Sequence, residues 1–185
     1  MKRYFAGLVL AALVVLLWGC DIGVNPLLFD GAKLHANYHV QSSTTSFSAS
    51  ETIDSAQIAD VVSEVDKQID SVKVYNITIK VDSTGGTNPA TTVSGSLLVN
   101  GHTFLTLTNV PISTFSTEIS VLDPSVASAG VSINRPGLEF IVNQFKNKES
   151  LPTSLTLVAT GSTSHSPVDF WIHLTIYTQI FTAGK

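Results

Sequence analysis

From Val168 to Phe181 apolar and polar residues trade places one by one. Val168, Phe170, Ile172, Leu174 and Ile176 fall on one side of an extended chain, and Trp171, His173, Thr175, Tyr177 and Gln179 on the other. A period of two is the mark of a β-strand with one face in a core and one face open. Leu34, Ala36, Tyr38 and Val40 alternate with His35, Asn37, His39 and Gln41 in the same way. Any fold for this chain has to supply two sides to strands of this kind, which confines it to packed sheets.

The remaining segments fit that demand. Ser and Thr crowd residues 42–50 around Phe47, as in a second strand or an extended edge. Val72 to Val81 is rich in β-branched residues, and Val93 to Val99 and His102 to Val110 flank Asn100-Gly101. Asn-Gly tolerates the positive φ of a type I′ turn, so these two strands form a hairpin. Ile112 to Leu122 reads as a further strand, residues 125–134 as a small, mixed connection, and Leu155 to Gly161 as the strand before the last. Two segments instead follow the helical period. Ile58, Val61, Val62, Val65 and Ile69 form one stripe behind a cap at Asp54 or Ser55. Asp60, Ser63, Glu64, Asp66 and Lys67 fill the other, solvated face. Leu138, Ile141, Val142 and Phe145 form the second stripe, with Pro136 in the first turn where its missing N–H costs nothing. No repeat of solenoid length recurs. The expected fold is mainly β (α+β): an antiparallel β-sandwich or open barrel of about seven or eight strands with two amphipathic helices.

Composition narrows the function. Charged residues are 13% of the 185, about half the usual ~25%, and apolar residues are 44%. That excludes a disordered tail, and with 10 Lys+Arg against 14 Asp+Glu it also excludes a nucleic-acid binder. A single Cys cannot build a disulfide framework or a thiolate metal cage.

That Cys is Cys20, and its setting is specific. Met1-Lys2-Arg3 precedes an apolar run from Tyr4 to Trp18, then Gly19-Cys20. A cationic start and a short apolar core describe a secretory signal, and the run is shorter than the ~20 residues of a membrane-spanning helix. Leu17-Trp18-Gly19-Cys20 resembles the lipobox of bacterial lipoproteins, with Leu at −3, a small residue at −1 and Cys at +1; Trp18 at −2 departs from the small or branched residue usual there. The resemblance covers the first twenty residues. It implies a diacylglyceryl group on the Cys20 thiol, cleavage before Cys20, acylation of the new amine, and export to the face of a bacterial membrane, periplasmic or outer. The expected organisation is signal peptide 1–19, lipidated tether 20–33 and β-sandwich domain 34–185. Leu27-Leu28-Phe29 within the tether is apolar enough to pack on the domain. Removal of Lys2 and Arg3 leaves 8 basic against 14 acidic residues.

Catalytic chemistry finds little footing. His35 and His39 lie four apart, but on a strand that is ~13 Å along one face, too far to share a metal ion. His102, His165 and His173 have no Asp or Glu at a ligand offset. Val93-Ser94-Gly95-Ser96 has one of the two glycines of a nucleophile elbow and sits in a strand. With 22 Ser and 20 Thr, any Ser–His–Asp trio arises by chance. Gly85-Gly86 lacks the Lys-Ser/Thr of a phosphate loop, and the acids Glu64, Asp66 and Asp70 sit on an exposed helix face. We therefore expect no catalytic residues, no cofactor and no metal.

The outer face of the last strand is the remaining candidate. Trp171, His173 and Tyr177 share it, and aromatic faces of sandwiches bind sugars or proteins by stacking. The competing reading is that a second sheet or a helix covers it as core. The expected function is thus a non-catalytic, membrane-anchored envelope lipoprotein that binds a protein or glycan partner or plays a structural role. The alternative is a carrier holding a lipid or other apolar ligand between sheet and helices, and a hydrolase comes third.

Overall fold

The structure, a computed structural model, describes residues 27–30, 33–63, 69–83 and 88–182. The expected signal segment 1–19, Cys20, most of the expected tether, Val65 with the acids Glu64 and Asp66, and Gly85-Gly86 lie outside the described residues.

Among the described residues, ten strands form two five-stranded antiparallel sheets. In chain order they are β1 (Leu27–Asp30), β2 (Leu34–Ser42), β3 (Ser46–Asp54), β4 (Ile69–Ser83), β5 (Thr92–Val99), β6 (His102–Pro111), β7 (Ile119–Ser120), β8 (Val131–Ile133), β9 (Ser154–Thr163) and β10 (Val168–Thr182). Among the described residues three short α-helices interrupt them: α1 (Ser55–Val61), α2 (Pro124–Ser128) and α3 (Arg135–Gln144). The first sheet centres on β10, with β4 and then β7 on one side. On its other side β2 pairs along Val168–Ile176 and β1 along Gln179–Thr182. The second sheet runs β3-β9-β5-β6-β8. The β-sandwich expected from the alternating strands is the fold found.

The core is the two inner faces. β10 is buried at every second residue along its 15-residue length, and β2 from Leu34 to Val40. Tyr38, Phe170, Ile77, Leu155 and Leu157 are among the residues that close between the sheets. The hairpin at Asn100-Gly101 is as expected, with φ of 45° and 84° at the two turn residues. Helix α3 begins after Asn134 with Pro136 in its first turn, and Ile141 and Phe145 are buried. It packs on β6 and reaches β4, bridging the two sheets.

Four expectations are corrected. Leu27–Asp30, expected in the tether, form β1, so the sheet begins seven residues before Leu34. The first helix is shorter than its stripe: Asp54 Oδ1 caps it at Gln57 N, 2.9 Å away, and the Val62 N–H closes back on Ala59. Ile58, Val61 and Val62 are buried as the stripe requires, but Ile69 opens β4 opposite Thr182. Pairing with the long β10 claims Ile69 for the sheet over its helical spacing, as tertiary context does with weak propensities. The expected strand Ile112–Leu122 is instead a 3-10 turn at Ile112–Phe115 followed by the two-residue β7. There the chain must leave β6 in the second sheet for β4 in the first, and the crossing buries Phe115 where a continuous strand could not. The connection 125–134 carries α2 and β8, which extends the second sheet beside β6.

Candidate binding face

Among the described residues, Trp171, His173 and Tyr177 on the outer face of the β10 sheet are each partly exposed, not buried as core. Register builds the face in rows. Trp171 lies between His39 of β2 and Asp82 of β4, and His173 between Asn37 and Lys80. Thr175 lies between His35 and Thr78, and Tyr177 is opposite Asn76.

Three rings line up at one end. The His39 imidazole stacks on the Trp171 indole with centroids 4.6 Å apart and planes 7° from parallel. The His173 ring lies 6.5 Å from Trp171, 15° from parallel. Hydrogen bonds fix both imidazoles. His39 Nε2 is 2.8 Å from Asp169 Oδ1, while the Gln41 amide donates to Asp169 Oδ2 at 3.3 Å. His173 Nδ1 is 2.7 Å from Asn37 Oδ1, and its Nε2 is 3.2 Å from Asp82 Oδ2. Lys80 Nζ donates to the same Asp82 oxygen at 2.9 Å. The Lys80 hydrogen bond, aided by the charges of Lys80 and His173, holds the Asp82 carboxyl below the usual Asp range.

Tyr177 belongs to the other end of the face. Its ring is 5.8 Å from Tyr75, and Lys33 Nζ stands 5.0 Å above it. Glu118 accepts from the Thr78 hydroxyl at 2.6 Å and from the Tyr177 hydroxyl at 3.3 Å. These bonds, the one from Thr78 foremost, keep its carboxyl below the usual Glu range.

Of the three residues singled out in sequence, the structure joins Trp171 to His173 and sets Tyr177 apart. His39, Asp82, Asn37, Lys80, Asp169 and Tyr75 complete the face and were not singled out. The parity of β2 placed His39 and Asn37 on its polar side; nothing in the sequence set them beside Trp171. The other histidines are scattered: His35 bonds Thr175, and His102 stacks on Phe140 of α3 at 4.0 Å. Among the described residues no three His, Cys, Asp or Glu side chains are placed to hold a metal.

Between the sheets lies an apolar cavity of about 20 Å³ lined by residues that include Phe47 and Phe170. Between sheet and helix, where the carrier reading puts its cargo, β4 and α3 enclose an open groove of about 530 Å³ lined by Lys73, Arg135, Glu139 and Lys146 beside Val72, Leu138 and Val142. The inter-sheet cavity has room for one water-sized body, whereas ligand pockets run to ~300–1,000 Å³, so a lipid could enter between the sheets only if they moved apart.

No family model matches the chain, and no curated protein matches it either. Among solved structures, the decameric BFDV capsid protein is similar at 11% identity over 84% of this chain and 99% of that one, with a TM-score of 0.33. A desmodium yellow mottle tymovirus structure is similar at 9% identity over 87% of this chain and 90% of that one, also with a TM-score of 0.33. At these scores neither likeness carries an argument about this chain.

Proposed function

We propose that this chain is a membrane-anchored lipoprotein of a bacterial cell envelope, held through Cys20, whose β10 sheet binds a polar envelope partner, a glycan or a protein, without catalysis. The observation that carries the binding half is the row His39–Trp171–His173, ringed by Asp82, Lys80, Asn37 and Asp169. Stacked rings offer apolar contact of fixed geometry, and the surrounding amide, ammonium and carboxylates offer donors and acceptors at its rim. This is the mixture that hydroxyl-rich and polar surfaces need. The anchor half rests on the lipobox-like sequence before Cys20.

The chain carries its own probe. It has two tryptophans, and one of them, Trp18, lies in the signal segment that processing removes. Emission of the mature protein therefore reports on Trp171 alone. Titration with soluble cell-wall glycan fragments and with envelope proteins is expected to give a saturable change that His39→Ala and Asp82→Ala weaken. No saturable change with either class overturns the binding half. Incorporation of labelled palmitate, lost in Cys20→Ser, tests the anchor; no incorporation in the unmodified protein overturns it.

A further inference from the structure

A cation-lined groove lies at the end of the sandwich where β1 enters. Between β4 and α3 lies an open groove of about 530 Å³. Among the described residues Lys73, Arg135 and Lys146 line it against one acid, Glu139, over the apolar side chains of Leu138 and Val142. Beyond Lys73 the outer face of the β10 sheet continues the same character. Tyr75 is 42% exposed, Lys73 Nζ stands 4.8 Å above the Phe181 ring, and Lys33 stands above Tyr177. Of the nearby acids, Glu118 is held by the Thr78 and Tyr177 hydroxyls, Asp70 is exposed at the start of β4, and Asp30 of β1 lies in the same row as Gln179 and Lys73.

The position of this end matters as much as its charge. Leu27 pairs with Thr182, and Val72 and Lys73 of the groove pair with Ile180 and Gln179. Six residues, 21–26, separate Cys20 from Leu27, a reach of at most about 25 Å. An acyl group on Cys20 thus holds the groove close to the bilayer. Trp171 lies ten residues up β10 from Phe181, about 33 Å away along the strand.

We propose that this end of the sandwich docks on the membrane surface. The groove takes the phosphate of an anionic phospholipid headgroup between Lys73, Arg135 and Lys146, and Tyr75 and Tyr177 sit at headgroup level. Cations near an anionic leaflet and tyrosines at the lipid–water boundary are each favourable there. The inference rests on the anchor reading of Cys20, and it leaves the Trp171 row facing away from the lipid, free for a partner.

The test uses the full chain, processed and acylated, in vesicles of phosphatidylcholine with and without phosphatidylglycerol. An environment-sensitive label is placed at Asn143→Cys in the groove, or at Ser162→Cys on β9 at the opposite end, with Cys20 blocked by its acyl group. Brominated phospholipid is expected to quench the label at 143 but neither the label at 162 nor Trp171. Quenching at 143 is expected to fall about five-fold or more in Lys73→Ala/Arg135→Ala/Lys146→Ala, and to weaken with salt, with the far-UV spectrum unchanged. Equal quenching at 143 and 162 in acylated protein overturns the docking while the anchor stands. Strong quenching of Trp171 overturns the orientation. Vesicle-independent protection of the 143 label by inorganic phosphate marks a free-phosphate site and overturns the lipid assignment. Absence of an acyl group on Cys20 removes the anchor reading and this inference with it.

Discussion

His39 and Trp171, 132 positions apart in the chain, occupy one row of a sheet with their rings 4.6 Å apart and 7° from parallel. The pair is possible because β2 and β10 run antiparallel in a register that sets Ile172 against Tyr38 on the buried side and Trp171 against His39 on the open side. A stacked cross-strand pair of this kind contributes about 0.5–1 kcal/mol. His39→Ala is expected to lower the unfolding free energy by about that amount, measured by urea titration, and to shift Trp171 emission to the red as its covered face meets water. A loss several times larger would mean that the ring supports the sheet and does not merely dress its surface.

Among the described residues three carboxyls are held below their usual range: Asp82 by Lys80, Glu118 by Thr78, and Asp123 by Ser125. A depressed folded-state pKa adds stability that is fully present above the unfolded value and is lost as pH falls through the folded one. The urea midpoint is therefore expected to hold between pH 7 and 5 and to decline as pH drops below the ordinary values of 4.5 for Glu and 3.8 for Asp. Glu118→Gln should flatten part of that decline. An unchanged slope in the variant would show that the Glu118 pKa is not lowered on folding.

Gly137 sits in the first turn of α3, where Ala is ordinarily better than Gly by about 1 kcal/mol. Here the sign reverses, because a Cβ at 137 overlaps the carbonyl oxygen of Thr103 on β6. Gly137→Ala is expected to destabilise by about 1–3 kcal/mol as the helix is pushed off the strand. Thermal unfolding of the variant decides between the two signs.

The Tyr38 hydroxyl is buried without a hydrogen-bond partner among the described residues. Desolvation, with the nearby charge of Glu51, pushes its pKa well above the usual tyrosine value. An orphaned buried hydroxyl costs about 1–3 kcal/mol. Tyr38→Phe keeps the ring in the core and removes the orphan, so its melting temperature should equal or exceed that of the parent chain. A clear fall would reveal a partner for the hydroxyl in solution.

What could be read along the chain is local in origin. Alternation in β2 and β10, the positive-φ pair at Asn100-Gly101, the stripe and Pro136 of α3, and the cap at Asp54 all act within a few residues, and the structure shows each of them. The misreadings share a cause. Ile69 carries a helical spacing and a β-branched side chain, and the open edge of β10 decides between them. Ile112–Leu122 has the composition of a strand, but it spans the crossing between sheets and so cannot stay in a ladder. Leu27–Asp30 has four residues and no alternation long enough to read, and it is a strand because β10 extends past the end of β2 and leaves backbone groups to be paired.

The candidate binding face divides along the same line. That Trp171, His173 and Tyr177 share one side of a strand was determined by the sequence alone, since successive side chains in an extended chain point to opposite faces. That Asp82 and His39 flank Trp171, that Lys80 and Asn37 flank His173, and that Tyr177 stands apart with Tyr75 and Lys33 was decided only by the tertiary structure. Backbone ladders pair any strand with any other. The partner and the register are chosen by how the inner faces of β2, β4 and β10 fill one core, and the outer face inherits neighbours that no local pattern encodes.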